Sequence, residues 1–146
     1  MSIWYALVMN NTYKVRVLLA VPLGLLGSSL RTYLSTVDEL ESVVFANSSD
    51  EALHLAAEGK PDFLILDIQL ISPLQNYQCL FDFLNNMKKV SSNTLPIVLV
   101  DDQIQKQVAL NAGCARVLYK GALGDQLRIL FQQAINPAYG NYQAPF

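Results

Sequence analysis

Five times along this chain a short, nearly continuous apolar run is followed by a stretch with helical periodicity. The runs are Val15–Ala20, Ser42–Ala46, Phe63–Ile68, Pro96–Val100 and Ala115–Tyr119. An uninterrupted apolar run of this length reads as a strand buried on both faces, whereas a half-solvated strand alternates. Between them, Leu26, Leu30, Leu34 and Val37 recur at helical spacing. Ser48 or Ser49 can cap a second helix that carries Asp50 and Glu51 in its first turn and stops at Gly59. Tyr77, Leu80, Phe81, Leu84 and Met87 mark a third, and Ile104, Val108, Ala109 and Ala112 a fourth, closed by Gly113. Leu123, Leu127, Leu130, Phe131, Ala134 and Ile135 mark a fifth, stopped by Pro137. Alternating elements with continuous apolar strands predict an α/β fold: a five-stranded parallel sheet, doubly wound, with helices on both faces.

Such a sheet places its site outside the carboxyl ends of the strands. The positions of interest are therefore Val21-Pro22, Asn47, Asp67, Asp101-Asp102 and Lys120. The expected domain covers 14–136, with an apolar N-terminal extension at 1–13 and a linker-like tail at 137–146.

Charge narrows the function classes. Ten Lys/Arg against twelve Asp/Glu leave a net charge of −2, without the basic excess of a nucleic-acid binder. Only 15% of residues are charged, where about 25% is ordinary, which points to a surface rich in amides or covered by a partner. Cys79 and Cys114 have no metal-ligand spacing and read as small buried residues in a reducing, cytoplasmic compartment. His54 has no obvious catalytic partner and reads as a surface histidine. Lys14 and Arg16 ahead of Val17–Gly27 and Ser28-Ser29 imitate an export signal. The run is too short to span a bilayer and divides into a strand and a helix start, so no membrane association is expected.

Four stretches resemble the receiver domains of two-component response regulators over about residues 14–136. They are Val15–Ala20, Ser49–Leu53, Pro61–Ile68 and Ala109–Lys120. The resemblance implies a flavodoxin-like (βα)5 receiver fold and phosphoryl transfer from a histidine kinase to an aspartate, aided by Mg²⁺. It puts Asp67 at the phosphoacceptor position and Lys120 at the lysine that neutralises phosphoryl oxygens. The metal-binding acidic pair falls at Val21-Pro22, the switch hydroxyl at Val100 and the switch aromatic at Val117, none of which carries the required group. Leu70-Ile71 and Gln75 replace the Met-Pro and glycine expected after the acceptor, although Pro73 lies close, and Gly121 follows Lys120 where proline is common.

The expectation is a degenerate pseudo-receiver, not an enzyme and without a cofactor. It would act through a protein partner or homodimer at the fourth helix, fifth strand and fifth helix, or at the N-terminal segment. Asp67 then reads as a strand-end partner of Lys120. The alternative is an active phosphoacceptor at Asp67 with a histidine kinase as partner. Asp101-Asp102 read as an N-capping pair for the helix at Gln103; the alternative makes Asp67 and Asp101 candidate ligands of a substitute Mg²⁺ site. A third reading is a small-ligand crevice lined by Val21 and Val100.

Overall fold

The computed structural model describes residues 14–71 and 77–135. The N-terminal extension, the tail and the loop holding Pro73 and Gln75 lie outside the described residues. Five parallel strands, β1 Val15–Ala20, β2 Leu40–Ala46, β3 Phe63–Asp67, β4 Leu95–Val100 and β5 Arg116–Tyr119, are ordered β2-β1-β3-β4-β5. Helices α1 Leu25–Leu34, α2 Ser49–Gly59, α3 Tyr77–Val90, α4 Gln103–Asn111 and α5 Leu123–Ile135 follow them in turn.

The pleat divides the apolar runs between two cores. Val17, Leu19, Ile65, Ile97 and Leu99 face α1 and α5, where Leu30, Leu34, Leu127, Leu130 and Phe131 are buried. Leu18, Leu64, Leu66 and Val98 face α2, α3 and α4 through Ala52, Ala56, Leu80, Phe83, Met87 and Ala109. All five residues of β3 are buried, as its central place requires. A doubly wound parallel sheet is therefore what these residues build.

Several local expectations need correction. In α3 the core face is Leu80, Phe83 and Met87, while Tyr77 and Phe81 are exposed at 49% and 39%. Ile104 is 77% exposed, because α4 packs through the small residues Ala109 and Ala112 near its end and leaves its first turn proud. Val37 is buried but lies beyond α1, and Ala134 is exposed. Cys79 is half-buried, although Cys114 is buried as expected. α2 does end at Gly59 as expected, and the left-handed residue beyond it is Lys60 (φ 46°), whose Nζ donates to the Val90 carbonyl at the end of α3. The apolar stretch after Arg16 divides into β1, a loop and α1, and no helix among the described residues is long and apolar enough to cross a membrane.

Ser48 is the cap of α2: its Oγ accepts from Glu51 N at 3.1 Å, and Glu51 Oε1 reaches back to Asn47 N at 2.9 Å. Ser48→Ala is expected to cost about 1 kcal/mol in urea denaturation.

Burial pushes the Cys114 thiol above its ordinary value, opposed by its hydrogen bonds to backbone. Burial likewise raises the Tyr33 phenol, whose hydroxyl donates to the Gly124 carbonyl at 2.6 Å and ties α1 to α5. The folded state thus holds these protons more tightly than the unfolded state. Their contribution is complete below the thiol's ordinary value of 9.0 and is lost as pH rises through the raised value. Stability measured across the alkaline range should fall less steeply in Cys114→Ala than in the parent.

Candidate functional site

At the carboxyl ends of the strands, three loops converge on one ammonium. Asp67 ends β3 with only 3% exposure, because β1 and β4 flank it and a 3₁₀ turn, Ile68–Leu70, folds over it. Its Oδ1 accepts from Gln69 N at 2.9 Å, which starts that turn. Lys120, directly after β5, places Nζ 2.9 Å from Asp67 Oδ1 and 3.1 Å from Asp101 Oδ2. Gln69 Nε2 closes the circuit by donating to Asp101 Oδ2 at 2.9 Å.

The two aspartates after β4 therefore do different work. Asp102 is the α4 cap, accepting from Gln105 N at 2.8 Å. Asp101 is not part of a capping pair; it turns to Lys120 instead, while its own N–H donates to Gln105 Oε1 at 2.7 Å. Because β3 and β4 are neighbours, Asp67 and Asp101 do meet, through the shared lysine. Tyr119 donates to Gln103 Oε1 at 2.7 Å, with the Lys106 ammonium 5.6 Å from its ring centre, linking the end of β5 to the first turn of α4.

The apolar positions separate. Val21 is 6% exposed in the α1/α5 core, and Val100 is fully buried in the α2–α4 core. They lie on opposite faces of the sheet, so the crevice jointly lined by these two valines does not form. Val21 and Pro22 instead border a cavity of about 100 Å³ beneath α1, with Phe45, Asn47 and Arg31. Val117 is partly buried against the α2–α4 core. His54 is exposed and pairs with Glu58 on its own helix.

A divalent-cation site of the Mg²⁺ kind needs several oxygen ligands in a tight shell. Val21 and Pro22 have no side-chain donor, and the facing oxygens of Asp67 and Asp101 both contact one ammonium. Among the described residues no three His, Cys, Asp or Glu side chains group to hold a metal. This donor set does not fit the ion.

Gln69, Gln103, Gln105 and Tyr119 were not expected to contribute. Glutamine is also an ordinary helix former, and nothing local shows that its amide will bridge two loops.

No protein-family model and no curated protein sequence matches the chain. Solved structures do match. One is a Saccharomyces cerevisiae response-regulator receiver domain in complex with a histidine phosphotransfer protein: 19% identity, 84% of this chain, 89% of that chain, TM-score 0.65. A receiver domain protein from Clostridium thermocellum is 21% identical over 85% of this chain and 96% of its own, with TM-score 0.64. The receiver domain of a Pseudomonas aeruginosa sensor histidine kinase, which has a magnesium ion in its active-site cleft, is 18% identical, covering 84% and 98%, with TM-score 0.64. The chain has the receiver-domain fold. At these identities the likeness extends to the fold alone.

Proposed function

We propose that this chain is a pseudo-receiver: a two-component, phosphorelay-type signalling domain that works through protein contacts, without enzymatic activity, a phosphorylation cycle or a metal cofactor. The observation that carries this reading is that Val21, Pro22 and Val100, at the positions of the metal-binding acidic pair and the switch hydroxyl, carry no side-chain oxygen, while Asp101 joins Asp67 on Lys120. In that arrangement the lysine is already neutralised by two carboxylates, and Val21-Pro22 offer nothing to a metal. The fold supports a signalling role, and its yeast relative, solved with a phosphotransfer protein, supports a protein partner. Leu110 and Tyr119, 44% and 38% exposed, border a cavity of about 280 Å³ with Lys106 and Gln126. This α4–β5–α5 face is a surface on which two copies can pair. The two free cysteines suit a reducing cytoplasm.

Incubation with acetyl phosphate and Mg²⁺, read by intact mass, is expected to add no phosphoryl group. Incorporation that disappears in Asp67→Asn would establish the second reading, a phosphoacceptor served by a histidine kinase. That reading is favoured by one observation, the retained 2.9 Å pairing of a strand-end aspartate with Lys120.

A further inference from the structure

The third helix carries two apolar stripes, and the core covers one of them. Leu80, Phe83 and Met87 are buried in the α2–α4 core. Tyr77, Phe81, Leu84 and Lys88 are spaced by four, three and four residues, which aligns them in a second stripe along the same helix. On this stripe Tyr77 is 49% and Phe81 39% exposed, Leu84 is half-buried and Lys88 is exposed. Two adjacent aromatic rings left partly in water forfeit burial energy that a second surface could recover.

A groove of about 330 Å³ runs beside the stripe. Phe81, Leu84 and Lys88 form its α3 wall, and Pro96, Gly113 and Ala115 line it from the start of β4 and the turn between α4 and β5. The far wall is low, because Gly113 and Ala115 project little from the backbone. Among the described residues that line the groove, Lys88 carries the only charge. One face therefore holds an aromatic ridge and, next to it, an apolar groove. Such a face is self-complementary, since a two-fold axis sets the ridge of each copy into the groove of the other.

We infer that α3 is a homodimer face, on which two copies pair with their third helices antiparallel and Phe81 of each seated in the groove of the other. Charge selects the orientation. Asp82 stands in the first half of α3, where Gln78 Nε2 donates to its Oδ1 at 2.9 Å, and Lys88 and Lys89 stand in the last turn. Parallel helices would set lysine against lysine. Antiparallel helices put each basic end beside the half of the other helix that bears Asp82, bring Lys88 to the second copy's Tyr77 ring, and oppose the macrodipoles. Lys60, the other lysine beside the end of α3, is engaged at the Val90 carbonyl. The inference rests on the interaction-module reading and takes the second copy on a face other than α4–β5–α5.

Sedimentation velocity of the full chain over a range of concentrations tests it. Reversible monomer–dimer exchange is expected, with ¹⁵N amide shifts on dilution confined to residues 77–88 and 112–115. Phe81→Ser should weaken the dimer at least tenfold. Ala115→Glu should do the same from the opposite wall, by filling the groove with a charged side chain. Ala115 is exposed and Phe81 lies outside the buried face of α3, so both variants should keep the parent's circular dichroism.

A chain that stays monomeric, or a dimer that either variant leaves undiminished, would overturn the inference. So would Phe81-dependent sedimentation with phosphatidylserine vesicles in place of dimerisation. A dimer that Leu110→Ser erases, with shifts on α4–β5–α5, would overturn it too while leaving the pseudo-receiver reading intact. Conversely, phosphoryl uptake at Asp67 by a chain that still dimerises through Phe81 would remove that reading and leave the α3 interface standing.

Discussion

Lys120→Met is expected to destabilise the domain by about 3 kcal/mol, as removing one partner of a buried ion pair strands the other charge. The side chains of Lys120 and Asp67 are 14% and 4% exposed, so solvent does little to screen their contact. Without the ammonium, Asp67 keeps the Gln69 N–H as its charge-stabilising contact. The figure is at the lower end of the usual range because Asp101, being half-exposed, recovers hydration when it is released. Asp67→Leu alone should cost less, since Lys120 retains Asp101. Combining Asp67→Leu with Lys120→Met should recover most of the loss, because no charge then remains buried without a partner. Urea denaturation of the four proteins measures the coupling. Additive losses would show that Lys120 is not the counter-ion on which Asp67 depends.

Phe131→Ala should be the most damaging single truncation in the α1/α5 core, at about 3–5 kcal/mol. Phe131 has no exposed surface and meets the Phe63 ring edge-on, with centres 5.4 Å apart. It joins the last helix to the central strand that carries Asp67, so its loss loosens the layer beneath the site as well as the core. Thermal unfolding with the wild-type chain as reference reads the effect. A loss below 1 kcal/mol would mean that α5 collapses onto the sheet without it.

These two changes touch residues of different legibility. Phe131 was readable as core from its place in a repeating apolar stripe, since burial follows the helical period. Ile104 belonged to an equally plausible stripe and is exposed, because α4 is short and rests on alanines rather than on its first turn. Tyr77 and Phe81 fail for a related reason: the third helix has more large apolar residues than its buried face accommodates. Periodicity offers candidate faces, and only the angle at which a helix meets the sheet selects one.

At the site, Asp67 and Lys120 were legible as strand-end residues, and their ion pair follows from the strand order. The separate tasks of Asp101 and Asp102 were not legible, since both are cap-competent and adjacent. What the sequence determined by itself is the alternation of strand and helix, and with it a parallel sheet whose chemistry lies at one end. Local patterning suffices there, because continuous apolar strands are stable only when covered on both faces. Tertiary structure alone decided that Val21 and Val100 fall into opposite cores and that one lysine holds two aspartates. Each depends on side chains brought together across strands β1, β3, β4 and β5, a relation set by sheet order and pleat rather than by distance along the chain.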